Sequence, residues 1–255
     1  MTPKAKYYET LANTMIKNFE KRRMEAYYYP TAKEAVEKAL SFLPSGAVVA
    51  HGGSMTLEET GMMDALRSAD IEFLDRAVCK TPEDSRKIFH DALMADYYFM
   101  STNAMTIDGE LVNIDGNGNR VAALIYGPEN VIILAGMNKV AKDVAEAVDR
   151  VHLTATPMNC VRLNKQTPCA VTGVCADCLS PDCICNQVVI TRRSGIQGRI
   201  KVILIGEELG FVGCCVVIFL LLLIVIDCIL IGLKAKDTGG RIICGGVASL
   251  VGIQT

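Results

Sequence analysis

The stretch Ala47-Val48-Val49-Ala50-His51-Gly52-Gly53-Ser54-Met55-Thr56-Leu57-Glu58-Glu59 decides the fold class. Its first four residues form an apolar run with no polar alternation, the pattern of a strand buried on both faces of a parallel sheet. The run stops at Gly52-Gly53. Thr56, followed three residues later by Glu59, reads as a capping box that opens a helix. Strand, glycine turn and helix in that order place backbone N–H groups at the C-terminal edge of a sheet, where a phosphate, carboxylate or nucleotide is favoured.

The same alternation continues on both sides. Residues 26–29 read as a strand, and residues 32–42 as a helix behind the Thr31/Glu34 capping box. Residues 71–74 and 97–100 read as strands, placed after helices at 57–66 and 84–94. Residues 104–113 read as a hairpin about Asp108-Gly109. A strand at 131–135 and a helix at 140–151 follow, with closing strands at 188–190 and 200–205. Tyr7, Leu11, Met15, Ile16 and Phe19 recur at helical spacing, one packing stripe of an N-terminal helix. The fold class expected is α/β, a mainly parallel sheet flanked by helices, with a further hydrophobic helix at the C-terminus.

Composition narrows the function. The 255 residues carry a net charge of -2, which leaves no electrostatic footprint for nucleic acid. Hydrophobic residues make up 51%, which excludes low-complexity disorder. No apolar run near Met1 resembles a secretory signal, so the expectation is a cytoplasmic domain with reduced thiols.

Four polar clusters sit at the ends of strands in this reading. They are Gly52-Gly53-Ser54 with Thr56, Ser101-Thr102-Asn103, Asn113-Ile114-Asp115-Gly116-Asn117-Gly118-Asn119-Arg120, and Asn138-Lys139. Strand ends of a parallel sheet converge on one crevice, which predicts a small-molecule site. Gly52, Gly53, Ser54, Thr56, Ser101, Asn103, Gly116, Gly118, Asn119, Arg120 and Asn138 are its candidate ligand-binding residues. Arg120 supplies a planar fork for an anion. Asp115 and Lys139 are the candidate catalytic pair, a carboxylate and an amine able to move a proton.

Eleven cysteines are unevenly placed. Cys169, Cys175, Cys178 and Cys185 lie in a turn-rich loop at residues 160–186, with Cys183 as a fifth thiol. Four convergent thiolates suit tetrahedral zinc or an iron–sulfur cluster, and thiolate softness does not choose between them. Cys79 and Cys160 read as buried hydrophobes.

Residues 212–233 hold sixteen Val, Ile, Leu or Phe and one charge, Asp227. As a helix they would run roughly 33 Å, about the hydrocarbon thickness of a bilayer. A transmembrane helix is expected there. It would follow a 1–211 domain, precede a short tail at 234–255, and leave the chain tail-anchored.

Taken together, these motifs resemble the LUD (lactate utilisation) domain family. They run from Gly52 through Gly61, then Ser101-Thr102-Asn103-Ala104, the Asn113 to Val121 loop, Tyr126-Gly127-Pro128, Gly136-Met137-Asn138-Lys139, and Thr167-Pro168-Cys169 through Cys185-Asn186. The resemblance covers about residues 1–211. It implies a fold like that of ribose-phosphate isomerases and CoA-transferases, and association with oxidation of L-lactate to pyruvate beside iron–sulfur partner proteins. The expectation is therefore a subunit or accessory of 2-hydroxy-acid oxidation that binds a small anionic metabolite. Two alternatives stay open: a non-catalytic metal-binding regulatory module, and a sugar-phosphate isomerase or CoA-transferase-like enzyme.

Overall fold

In a computed structural model, residues 2–207, 224–227 and 230 are described. The chain divides into two units, Met1–Glu208 and Leu209–Thr255. The first is built in chain order from α1 (Pro3–Lys21), β1 (Glu25–Tyr29), α2 (Ala32–Leu40), β2 (Val48–His51), α3 (Met55–Glu59), α4 (Met62–Ser68) and β3 (Glu72–Leu74). Then come α5 (Pro82–Asp91), β4 (Tyr97–Met100), β5 (Ala104–Thr106), β6 (Leu111–Asp115), α6 (Asn119–Tyr126) and β7 (Asn130–Gly136). The last elements are β8 (Val140–Ala141), α7 (Val144–Arg150), α8 (Thr156–Arg162), α9 (Pro168–Thr172), β9 (Gln187–Thr191) and β10 (Ile200–Ile205).

Six strands in the order β1-β10-β7-β4-β2-β3 form a sheet whose pairs are all parallel. Its two central strands, β10 and β7, are apolar at nearly every position, Lys201 of β10 and Asn130 of β7 apart, because helices cover both faces. Val131, Ile133, Val202 and Leu204 pack on one face with Ala12, Met15 and Phe19 of α1. Ile132, Leu134, Ile203 and Ile205 alternate to the other face, against Ala35 and Ala39 of α2, Leu57 of α3, and Met62, Met63 and Leu66 of α4. The chain is thus an α/β protein with a mainly parallel six-stranded sheet flanked by helices.

Several local expectations are corrected. Residues 57–66 form two helices, because Gly61 takes φ 75° between α3 and α4. The cap of α3 is Ser54, whose Oγ accepts from Leu57 N, which leaves the Thr56 side chain for another partner. Residues 140–151 begin as β8, and a new N-cap, Asp143, opens α7. The polar loop before Val121 ends at Gly118, so Arg120 lies in α6. Residues 188–190 belong to β9, the edge of a second sheet ordered β8-β5-β6-β9. There β5–β6 and β6–β9 are antiparallel, while β5–β8 is parallel. Ala104, Val112, Ile114, Ala141, Ala147 and Val151 form the small core of that sheet with α7.

Nearly all of the predicted transmembrane segment at 212–233, and the tail at 234–255, lie outside the described residues; 224–227 and 230 are helical. No helix among the described residues is long and apolar enough to cross a membrane.

Candidate functional site

Strands β2, β4 and β7 are parallel neighbours, so their C-terminal ends share one sheet edge. Thr56 follows β2, Ser101 and Asn103 follow β4, and Lys139 follows β7. The fourth contribution, expected from another parallel strand, comes from the antiparallel strand β6 with α6 behind it. These bring in Asn113, Asp115 and Arg120.

Lys139 is the centre of the cluster. Its Nζ donates to Thr56 Oγ1 at 2.7 Å and to Ser101 Oγ at 2.8 Å. Both hydroxyls belong to buried residues. Burial, then the nearby Arg150 and Arg120 guanidiniums, lower the Lys139 pKa from 10.5 to about 7, with Glu59 acting weakly the other way. At neutral pH the amine therefore divides between a charged form that attracts an anion and a neutral form that can accept a proton. Among the described residues no carboxylate forms an ion pair with Lys139 or Arg150. Arg150 instead donates to the carbonyls of Asn103, at 2.6 Å, and Asn138, at 3.2 Å.

Arg120 stands in the cluster with its donors already used. Nη1 donates to Ser101 O at 3.2 Å and Asn113 Oδ1 at 2.6 Å. Nη2 donates to Asn103 Oδ1 at 2.9 Å and Ile114 O at 2.8 Å. Nε faces Asp115 Oδ2 at 3.6 Å. A guanidinium has five N–H groups, so none is left for a ligand. The expected anion fork is instead a clamp that ties the β4 loop to the β6 turn. Its positive charge still acts on Lys139.

Asp115 is committed in the same way. Its Oδ1 accepts from Asn117 N at 3.1 Å and Gly118 N at 2.9 Å, and its Oδ2 accepts from Val121 N at 3.3 Å. Those bonds hold the turn into α6, as Asp does in a side-chain-closed turn. Of the two candidate catalytic residues, only Lys139 has a group free to react.

The remaining expected ligand residues divide into three sets. Thr56, Ser101 and Asn103 are in the cluster, the last through its bonds to Arg120 and to Ile114 N at 3.0 Å. Gly52 lies beside it, because a Cβ there would stand 3.1 Å from Arg120 Cδ and from Tyr98 Oη. Gly53 and Ser54 face a separate cavity that also takes in His51. Gly116 packs on the cysteine loop, where a Cβ would meet Ile184 Cα at 3.2 Å. Gly118 takes φ 86° at the start of α6, Asn119 opens that helix, and Asn138 is exposed.

One member, Arg150, escapes the sequence reading, and another, Asn113, is named there in its polar cluster but given no ligand role. Arg150, at the end of α7, looks like an ordinary C-terminal helix cation. Asn113 is wholly buried at a central position of β6. Its Nδ2 has no hydrogen-bond partner, while its Oδ1 is fixed by Arg120. A polar residue inside an apolar strand was the available signal.

The cysteines do not assemble as expected. Cys175 Sγ lies 3.5 Å from His152 Nδ1, and Cys169 Sγ lies 3.3 Å from Thr167 Oγ1. Burial pushes the Cys185 thiol up to about 12, with Cys183 and Cys160 close by. The thiols that approach one another thus include Cys160 and Cys183, which lie outside the expected quartet. Among the described residues, no group of three or more His, Cys, Asp or Glu side chains is placed to hold a metal ion. Cys169 neighbours Cys160, and Cys178 and Cys185 neighbour Cys183, so three of the four expected ligands stand beside other thiols without assembling a ligand set among the described residues.

A family model described as the LUD domain matches residues 12–205, about three quarters of the chain and nearly all of the first unit. The chain belongs to the LUD domain family. Membership makes it a lactate-utilisation-type protein in general terms. A second model, described as Cell cycle protein, matches residues 202–255, about a fifth of the chain. No curated protein matches the chain. Among solved structures, a DUF162 family protein from Deinococcus radiodurans is 15% identical, with a TM-score of 0.43 over 78% of this chain and 98% of that one. Ribose 5 phosphate isomerase A from Neisseria gonorrhoeae is 15% identical, with a TM-score of 0.30 over 44% of this chain and 54% of that one. The eIF2B delta chain from Chaetomium thermophilum is 18% identical, with a TM-score of 0.30 over 43% and 48%. This LUD chain spans about half the length of the last two.

Proposed function

We propose that this LUD protein binds a small 2-hydroxy or 2-oxo carboxylate at Lys139, as a subunit or accessory of L-lactate oxidation to pyruvate. The observation that carries the reading is the buried Lys139 amine, held by two hydroxyls and flanked by Arg120 and Arg150, with no carboxylate paired to it. Three cations share the cluster with two nearby carboxylates: Asp115 is taken up by the turn and Arg120, and Glu59 acts on Lys139 without an ion pair among the described residues. A bound carboxylate would supply the missing negative charge and draw Lys139 toward its charged form. The orphaned Asn113 Nδ2 adds a buried donor without an acceptor.

Calorimetric titration of the full chain with L-lactate, pyruvate and the uncharged lactamide tests this reading. The expected result is saturable binding of the two acids, none of the amide, and at least a tenfold loss with Lys139→Met. Equal binding to wild type and Lys139→Met, or no binding of either acid at millimolar concentration, overturns it.

A further inference from the structure

A cavity of about 330 Å³ opens on the other side of the glycine turn, lined by His51, Gly53, Ser54, Arg67, Arg76 and Arg162 together with Glu58 and Asp75. We propose that this cavity is a second anion site, built for a phosphoryl dianion and separate from the carboxylate site at Lys139.

Three guanidiniums on one cavity of this size are the first argument, because a dianion needs more than one cation and the Arg fork matches phosphate oxygens. The second is their state of engagement. Arg67 is taken by Asp75 at 3.0 Å and Asp64 at 3.1 Å, and Arg162 by Asn159. The Arg76 guanidinium makes no hydrogen bond or ion pair among the described residues. It lies across Gly53, where any Cβ would fall on it, so this glycine is what lets the guanidinium rest against the turn. Ser54 uses its oxygen as an acceptor for Leu57 N and keeps its O–H free to donate.

The third argument is His51, whose side chain is 6% exposed. Its Nδ1 lies 3.2 Å from Gly52 O, so that nitrogen carries a hydrogen. In the neutral ring the bare Nε2 then faces Asp75 Oδ1 at 3.4 Å, two lone pairs opposed, and Nε2 has no hydrogen-bond partner. Only the charged ring gives Nε2 a hydrogen to donate toward Asp75. Burial and the adjacent Arg76 hold the His51 pKa down, against the pull of the Gly52 carbonyl and Asp75. An anion beside Arg76 removes that obstacle. Asp64 and Asp75 pair with Arg67, which leaves Arg76 and Arg162 against Glu58, a net positive lining.

The test uses the full chain, inorganic phosphate and glycerol 3-phosphate, with binding followed by ³¹P line broadening and calorimetry. Saturable binding is expected, weakened at least tenfold by Arg76→Ala and by Gly53→Ala, and kept by Lys139→Met. Conversely, Arg76→Ala should leave L-lactate binding intact, so each site can fail without the other. Tighter binding of the ester than of free phosphate assigns the site to a phosphorylated metabolite; equal binding assigns it to phosphate itself. Mapping phenylglyoxal adducts on the wild-type protein gives a readout independent of variant folding, and phosphate should protect Arg76. No saturable binding at millimolar phosphate, binding undiminished in Arg76→Ala, or adduct formation at Arg76 unaffected by phosphate overturns the proposal.

Discussion

Replacing Lys139 by Met should stabilise the protein by about 2 kcal/mol at pH 7 and destabilise it by about 1 kcal/mol at pH 10. The folded state holds the amine pKa at about 7, against 10.5 for an ordinary lysine. Three and a half decades of proton affinity are worth about 5 kcal/mol. The sign follows from proton counting. Between pH 7 and 10.5 the unfolded chain keeps a proton on Lys139 that the folded chain has released, so stability rises with pH across that window. Below pH 7 both states hold the proton and the cost of the buried charge is at its full size. Above about pH 10.5 neither does, and the cost is gone.

Worked through, the Lys139 contribution disfavours folding by about 4 kcal/mol at pH 7 and about 1 kcal/mol at pH 10. Methionine keeps the apolar stem and carries no charge. It also leaves the Thr56 and Ser101 hydroxyls without their donor, which costs about 1 kcal/mol each at any pH. The stability gap between variant and wild type should therefore fall by about 3 kcal/mol from pH 7 to pH 10. Urea unfolding at both pH values measures it. Far-ultraviolet circular dichroism is the suitable probe, because the chain has no Trp and tyrosines ionise near pH 10. A gap that stays constant within about 1 kcal/mol would refute the buried-amine reasoning and the carboxylate site that rests on it.

Arg120→Lys should cost about 3–5 kcal/mol in urea unfolding, because one ammonium cannot replace four guanidinium bonds and a facing carboxylate; an unchanged midpoint would show that the clamp is not formed. Cys175→Ser should move the thermal midpoint by under about 2 °C, since His152 is the thiol's one polar partner among the described residues; a drop of about 5 °C or more would place Cys175 in a ligand set. Gly109→Ala should destabilise by roughly 2 kcal/mol or more, because its φ is 88° and the new Cβ would stand 2.9 Å from Phe19 N. A neutral result in calorimetry would mean that the hairpin does not seat on α1.

The strands of the main sheet were legible because their signal is local: Val131 to Ala135 is apolar at each position, and Ile200 to Ile205 at each but Lys201, whatever they pair with. Their order was not, and neither was the membership of β9, whose partner β6 lies some seventy residues earlier. The break between α3 and α4 hangs on one glycine dihedral, which a continuous apolar period conceals. Thr56 reads as the cap of α3, but Ser54 takes that place, and the Thr56 hydroxyl accepts from Lys139, which arrives from β7. The strand-end loops could be named from composition. Which of them belonged to a second sheet could not.

Arg120 and Arg76 mark the limit of reading function from residue type. Both guanidiniums press on the same glycine pair, Arg120 against Gly52 and Arg76 against Gly53. A side chain on either glycine would have to displace one of them. Sequence displays donors; it does not display acceptors. Arg120 meets four acceptors and a carboxylate, so it spends its hydrogen bonds on architecture and reaches the site only through its charge on Lys139. Arg76 meets none among the described residues, and stands at a cavity beside a histidine whose Nε2 lacks a partner there. Acceptor count rather than position along the chain thus separates the arginine that builds the site from the one available to bind. The same count explains why Lys139, with two hydroxyls for three possible N–H groups, remains open to a ligand.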